Sequence, residues 1–525
     1  MTLINWRGLA VAACALAAAS AVRPGIAGQE GPLGGVSRRL VQETGLPAID
    51  RGLRDQDLPA EPSAQGTAAV FLDRASVSGS AVDGSVIVKF RAGADRSAAV
   101  SSTLSQVSGS GADRPSWANF DVLAIPADAD PERVASELRA RADVEYAQPR
   151  YLNHKMYRPN DPLYVNQWNF AALDMERAWD IQQGATSNVI VAVLDTGVAF
   201  RGGTFRYNAR AFRLTEGGPI YPALGLVDVP FVIAPELGDS SRFVAPRDFI
   251  WDDADPVDLD GHGTHVSGTI GQLTNNSVGV AGMAFNVRIM PVKVIAETWD
   301  VIFGAPYRGT DDVVARGVRY AADNGAKVIN MSIGREEGGP APVIEDAIRY
   351  AVGKGVFVAI ASGNTREQGN QPNQIGNVAP ALAGAVTVGA VGRSLDLAFY
   401  STTSPSVELS APGGDTRQAG GASGGILQQT LDLDLVETFN RPPSQFGPPR
   451  ADSFAYHYFQ GTSMAAPHVS GFAALLVQQG ITSPAAIEEA MKKYATDKGA
   501  PGPDEQYGVG LINPRATLRG LGLAR

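Results

Sequence analysis

Four short stretches carry residue types that could break a covalent bond. In "VAVLDTGV" (Val191–Val198) an apolar run ends on Asp195, followed by Thr196 and the turn-permitting Gly197. In "DGHGTHVSGT" (Asp260–Thr269) His262 stands between glycines at the opening of a helix, and His265 follows three residues later. "AIASGN" (Ala359–Asn364) ends on Asn364, and "GTSMAAPHVSG" (Gly461–Gly471) sets Ser463 among small residues ahead of an apolar helical run. A serine hydroxyl is a weak nucleophile until a base removes its proton and an acid orients that base.

Taken singly, each residue has an ordinary structural reading. Asp195 and Ser463 suit caps or loops, and a Gly-Asn pair suits a left-handed turn. Together they supply an orienting acid, a base, a neutral donor for developing negative charge, and a nucleophile. Zinc chemistry fits poorly, because a metalloprotease helix pairs histidines at i, i+4 with a glutamate after the first. Here the spacing is i, i+3 and Gly263 follows His262. His262 is therefore the better general base, with His265 and His468 read as packed helix residues. Gly461-Thr462-Ser463-Met464-Ala465 lacks the second glycine of a nucleophile elbow, which counts against an esterase of the α/β-hydrolase type.

The chain order Asp195, His262, Ser463, with Asn364 between the last two, is the order seen in subtilisin. With their flanking residues, the blocks around Asp195, His262 and Ser463 resemble the signature blocks of subtilases, the subtilisin-like serine endopeptidases, over roughly residues 160–515. The resemblance implies that Ser463 attacks the scissile carbonyl, His262 takes its proton, Asp195 holds the imidazole, and Asn364 with the Ser463 N–H binds the oxyanion. It implies a cleft edge at Ser332, Ile333 and Gly334 in "INMSIG", facing a second edge around Gly309 in "RGTDD". The primary specificity pocket is expected within Thr365–Pro380. No cofactor is implied for catalysis, but structural calcium is: "LTNNSVGVAG" resembles the family's calcium loop, through Asn276 and carbonyls near Val278 and Val280, with Asp161 contributing. Where the family usually has Pro-Asp-Leu, this chain has Pro235-Glu236-Leu237. The acids Asp252, Asp253, Asp255, Asp258 and Asp260 read either as a second oxygen-rich site or as a solvated acidic loop.

The elements that must position these residues follow from periodicity. "VIVAVLD", "KVINMSIG", "VFVAIASGN" and "AVTVGAVG" are short apolar runs, as expected of strands buried on both faces of a parallel sheet. Helical patterns such as "DDVVARGVRYAADNG" and "PVIEDAIRYAVGKG" lie between them. The expectation is an α/β fold with a doubly wound, mostly parallel sheet flanked by helices, in which sites gather at the carboxyl ends of strands. Residues 199–247 and 414–455 are Gly- and Pro-rich, poorly periodic, and read as insertions, either decoration or walls of a cleft.

Ahead of this domain, residues 84–155 read as a small α+β unit. It has strands at Ser85–Phe90 and Asp121–Ala127, and a helix capped by Asp130 with Pro131 at its first position. It resembles the subtilase propeptide, an intramolecular inhibitor cut away between about Asn153 and Asn160; a permanent regulatory domain is the alternative. Residues 1–27, with Arg7 ahead of an apolar Gly8–Val22 run too short to span a bilayer, read as a signal peptide. Residues 28–83 read as a poorly ordered leader. The only cysteine, Cys14, lies in the signal segment, so the mature protein would carry no disulfide.

The chain of 525 residues has 54 acidic and 44 basic side chains, a net charge of −10 that argues against a nucleic-acid binder. The expected product is a monomer, secreted to the extracellular space or periplasm, without a membrane span, acting on protein or peptide substrates.

Overall fold

The carboxyl ends of parallel strands are where a doubly wound sheet offers its sites, and the sheet expected from the apolar runs is present. The structure is a computed structural model and describes residues 81–151, 157–306, 308–335 and 337–521. The expected signal peptide with Cys14, nearly all of the leader, and Asn153–Met156 of the expected cleavage segment lie outside the described residues.

The N-terminal unit is a four-stranded antiparallel sheet in the order β2-β3-β1-β4, formed by β1 (Ala81–Phe90), β2 (Gly111–Asp113), β3 (Asp121–Ala124) and β4 (Val144–Tyr151). Helices Arg96–Gln106 and Pro131–Arg139 complete it. Asp130 caps the second helix by accepting the Glu132 N–H at 3.0 Å, and Pro131 costs nothing at a position whose N–H has no helical partner. Val134 and Leu138 of that helix bury against Val86, Val88 and Leu123. The fully buried Asp121 is balanced by Arg114 (2.7 Å) and by Arg96.

The large unit holds a seven-stranded sheet. In chain order its strands are β5 (Ile190–Asp195), β8 (Arg247–Asp248), β9 (Arg288–Lys293), β10 (Val328–Met331), β11 (Phe357–Ala361), β12 (Ala385–Val391) and β13 (Val407–Pro412). Between β5 and β8 lies a separate hairpin, β6 (Gly203–Ala209) with β7 (Gly225–Phe231). The spatial order is β13-β12-β11-β10-β5-β9-β8, and every pairing is parallel. Alternate residues of β5 explain its continuous apolarity. Val191 and Val193 pack with Val266, Ile270, Val469 and Phe472 on one face; Ala192 and Leu194 pack with Val313, Val318, Ile344 and Ile348 on the other. Phe472 is fully buried, so its truncation to alanine costs about 3–5 kcal/mol.

The two stretches read as irregular insertions contain more structure than expected. The first holds the β6–β7 hairpin, and the second holds β14 (Ile426–Leu431), which pairs antiparallel with β15 (Phe454–Phe459). The two insertions also share a core: Phe446 packs on Phe212 and Tyr221, and the Ala451 N–H donates to the Pro230 carbonyl at 3.1 Å. Trp299 anchors that core, fully buried, with its Nε1 donating to the Val436 carbonyl at 2.7 Å.

Candidate active site

One strand end, one loop and one helix start bring the acid and base together. β5 ends on Asp195, which is 1 % exposed, and the chain turns at once through Thr196 and Gly197. His262 is the first residue of helix His262–Gly271, and its Nδ1 lies 2.6 Å from Asp195 Oδ1. The carboxylate accepts, so Nδ1 carries a proton, and Nε2 keeps a lone pair whenever the ring is neutral. Burial lowers the proton affinity of the imidazole. The Asp195 charge and hydrogen bond, with the charges of Asp260 and Asp258, outweigh it and raise the group to about 9.

This close approach explains the Gly-His-Gly run. A Cβ on Gly263 would lie 2.1 Å from the Gly197 carbonyl oxygen and 3.1 Å from Asp195 Oδ1. Asp258, fully buried, ties the turn to the helix. Its Oδ1 accepts from Thr196 Oγ1 (3.1 Å), Asp260 N (3.0 Å) and Gly261 N (2.9 Å). Its Oδ2 accepts from Thr264 N (3.0 Å) and Thr264 Oγ1 (2.6 Å). Thr196 Oγ1 in turn accepts the Gly263 N–H at 3.0 Å. The rest of the acidic run is engaged as well: Asp252 pairs with Arg247, Asp255 with Arg201, Asp253 accepts the Asp255 N–H at 2.8 Å, and Asp260 accepts the His262 N–H at 3.0 Å. These acids are loop and cap residues, and the oxygen-rich reading finds no support in their contacts.

Ser463 is the second residue of helix Thr462–Gln478. Its Oγ donates to the Ser332 carbonyl at 3.1 Å, and Ser332 Oγ donates to the Ser463 carbonyl at 2.7 Å. That carbonyl is free for Ser332 because Pro467, four residues on, has no N–H to return to it. Among the described residues no hydrogen bond joins Ser463 to His262. Asn330 was not foreseen: it donates to Ser332 Oγ at 2.9 Å and accepts from Ser470 at 2.8 Å, a buried chain from the Ser463 helix to β10. Asn364 follows β11, and its Oδ1 accepts from Thr462 N (2.9 Å) and Thr462 Oγ1 (3.0 Å). Its Nδ2 remains as a donor beside Gly461.

The two segments expected to edge the cleft also lie at strand ends. Ser332, Ile333 and Gly334 leave β10 alongside Ser463. On the other side the chain leaving β9 bonds Asp195 through the Val294 N–H at 3.0 Å, and the Ala296 N–H donates to the Arg308 carbonyl at 2.6 Å. Gly309 follows with φ +153°, where a Cβ would lie 2.9 Å from the Val294 carbonyl oxygen.

A family model described as the subtilase family matches residues 186–510, more than half of the 525. The chain belongs to the subtilase family. A second model, described as the fervidolysin N-terminal prodomain, matches residues 69–150 of this subtilase. A thermophilic serine proteinase of Bacillus sp. strain AK1 is 31 % identical over 391 residues, covering 74 % of this chain and 76 % of that protein. Thermitase of Thermoactinomyces vulgaris is 29 % identical over 347 residues, covering 65 % of this chain and 93 % of thermitase. Among solved structures, a protease from Pseudoalteromonas arctica superposes with a TM-score of 0.51 at 28 % identity, over 69 % of this chain and 99 % of that one. The protein is a subtilisin-like serine peptidase with an N-terminal prodomain.

Two further histidines of the subtilase, His265 and His468, fit structural roles. His265 is fully buried, stacks on Phe459 with ring centroids 4.2 Å apart, and donates through Nε2 toward the carbonyls of Ile426 (3.0 Å) and His457 (3.1 Å). His468 donates from Nδ1 to the Met464 carbonyl at 2.8 Å and accepts from Asn169 at 2.8 Å. Burial lowers the first to about 3 and the second to about 4.

The expected calcium residues gather on one loop. Asp161, 3 % exposed, accepts the N–H groups of Asn275 (2.7 Å) and Asn276 (3.1 Å). Glu236, 1 % exposed, accepts the Val280 N–H at 3.0 Å, the Gln429 amide at 3.2 Å and the Tyr456 hydroxyl. Asn276 Oδ1 accepts the Val278 N–H at 2.9 Å. Neither carboxylate has a cation among these partners. Burial raises Glu236, which the hydrogen bonds from Tyr456 and Val280 oppose and the Asp161 charge reinforces. These two carboxylates and the Asn276 amide are oxygen donors of the kind calcium takes, and each is engaged here by an N–H or O–H donor. Among the described residues, three or more His, Cys, Asp or Glu side chains nowhere converge on a metal-sized space. Gln429 and Tyr456 come from the β14–β15 hairpin and had no signal in the sequence.

Proposed function

We propose that this subtilase hydrolyses peptide bonds through Asp195, His262 and Ser463, with Asn364 as oxyanion donor. The observation that carries the reading is the 2.6 Å contact between His262 Nδ1 and Asp195 Oδ1, at strand and helix ends that also present Ser463 and Asn364. In the proposed reaction the Ser463 hydroxyl turns from the Ser332 carbonyl to His262 Nε2, which takes its proton as Oγ bonds to the scissile carbonyl carbon. The carbonyl oxygen becomes an oxyanion bonded by Asn364 Nδ2 and the Ser463 N–H. The imidazolium, stabilised by Asp195, then protonates the leaving amine, and the acyl ester is hydrolysed by water activated at the same nitrogen. Substrate backbone would pair along Ser332–Gly334 on one side and near Gly309 on the other, as an added strand.

The precursor organisation belongs to the same reading. Residues 1–27 serve as signal peptide, 28–83 as leader, and 84–155 as an inhibitory propeptide that the enzyme cuts from its own 156–525 peptidase domain. The product is a monomer released outside the cell or into the periplasm. No helix among the described residues is long and apolar enough to cross a membrane. Calcium would be held by Asp161, Glu236, Asn276 and the carbonyls of Val278 and Val280. Its charge would balance the two buried acids and fasten the start of the domain to the 273–282 loop.

A Ser463→Ala precursor tests the whole scheme. It is expected to stay unprocessed on a gel and to lose about 10⁶-fold in turnover when supplied in processed form. Near-normal peptidase turnover in that variant would overturn the assignment.

A further inference from the structure

β10 and β11 are parallel neighbours, with Met331 opposite Ile360, and beyond that rung the two chains part. One continues as Ser332–Arg335, beginning against the nucleophile. The other continues through Ala361 to Asn364. On the serine-peptidase reading, the residue bearing the scissile carbonyl would lay its side chain between them, beside Ser463. One buried amide joins the two segments. Asn373, 1 % exposed, donates from Nδ2 to the carbonyls of Ala361 (2.7 Å) and Ile333 (3.1 Å). Its Oδ1 accepts the N–H groups of Arg335 (3.0 Å) and Ile375 (3.1 Å). The amide also packs flush on one wall, since a Cβ on Gly334 would lie 3.1 Å from Nδ2.

We propose that Asn373 is a positioning residue that sets the width of the primary specificity slot by tying its two walls together. The proposal rests on the serine-peptidase reading of the cleft. Both amide protons and both lone-pair directions of the side chain are occupied, so it works as a spacer of fixed length and offers the substrate no free polar group. No other residue type of similar size supplies two donors and two acceptors in that fork. With the spacer removed, the walls separate and side chains broader than the native slot gain access.

The test uses enzyme matured from the full chain, as wild type, Asn373→Ala, Asn373→Asp and Asn370→Ala. Asn370 is a fair control, since its amide staples the same loop to Thr403 N and O at 2.9 Å each without touching either wall. Active enzyme is counted by burst titration, and kcat/KM is measured on peptides that differ only in Ala or Phe at the acyl residue. Asn373→Ala and Asn373→Asp should raise the Phe-to-Ala ratio by about tenfold, and Asn370→Ala should leave it within about twofold. Aspartate keeps the size of asparagine but sets an oxygen against two carbonyls, so it carries the test alone if the alanine variant does not fold. An unchanged ratio in the Asn373 variants, alongside normal labelling of Ser463 by a fluorophosphonate, would overturn the proposal and leave the catalytic reading intact. Failure of the wild type to label at Ser463 would overturn both.

Discussion

Ser332 and Ser463 hold each other twice: Ser332 Oγ donates to the Ser463 carbonyl at 2.7 Å, and Ser463 Oγ donates to the Ser332 carbonyl at 3.1 Å. The first bond ties the end of β10 to the Ser463 backbone, and the second holds the Ser463 hydroxyl on that same strand end. In the proposed mechanism, catalysis begins with a rotation that breaks the second bond and keeps the first.

Ser332→Ala removes the first bond and the acceptor of the buried Asn330 amide, and leaves the second bond, because that one uses a backbone carbonyl. The loss should cost about 1–3 kcal/mol of stability, read as a melting temperature lower by several degrees. Ser463 should still label with a fluorophosphonate. Abolished labelling would mean that Ser332 contributes to the chemistry and not only to the cleft edge.

Asp258→Ala leaves the Thr196 hydroxyl and the Gly261 and Thr264 N–H groups without their buried acceptor. A destabilisation of about 3 kcal/mol is expected, together with a fall in kcat of about 10²-fold as Asp195 and His262 lose their common anchor. Asp258→Asn, which keeps one acceptor oxygen, should fall between. Thermal melts and turnover on one peptide suffice, and wild-type kcat in the alanine variant would contradict the anchoring role.

To act as the proposed base His262 must be neutral, and its pKa is raised to about 9 from an ordinary 6.5 by Asp195 and the neighbouring acids against its burial. The rate kcat/KM should therefore climb with pH through an apparent pKa well above 6.5 and be lost as pH falls below it. Asp260→Asn removes one of the charges responsible, so the acid limb should move to lower pH. A limb centred on 6.5 or below in the wild type would contradict the electrostatic account.

If calcium balances Asp161 and Glu236, chelation should lower the melting temperature. Metal at a hundredfold excess over its dissociation constant stabilises a folded state by about 2.7 kcal/mol. Glu236→Gln should shrink the difference between calcium and chelator. Identical melts in calcium and chelator for the wild type would exclude the site.

The strands and the candidate site residues at their ends were legible because their signals are local. Two of the apolar runs lead directly into candidate site residues, Val191–Asp195 and Phe357–Asn364, and Gly263 announces the tight approach of helix and turn. What stayed hidden depends on contacts between distant segments. The period-two alternation of Phe205 and Tyr207 with Thr204, Arg206 and Asn208 is short and bounded by glycine, so the β6–β7 hairpin passed for irregular chain. Its shared core with Phe446 joins segments more than two hundred residues apart. Asp258 looked like one acid among several, since nothing nearby in sequence reveals that Thr196 and Thr264 converge on it. Asn373 likewise gains its meaning only where β10 and β11 part.

Mapping of a fluorophosphonate label tests the catalytic constellation most directly. Wild type, Ser463→Ala and His262→Ala are treated with the reagent, digested, and read by peptide mass spectrometry. The label should sit on the peptide containing Ser463, be absent in Ser463→Ala, and form more slowly by about 10³-fold or more in His262→Ala. A label on another residue, or an undiminished rate without His262, would contradict the account.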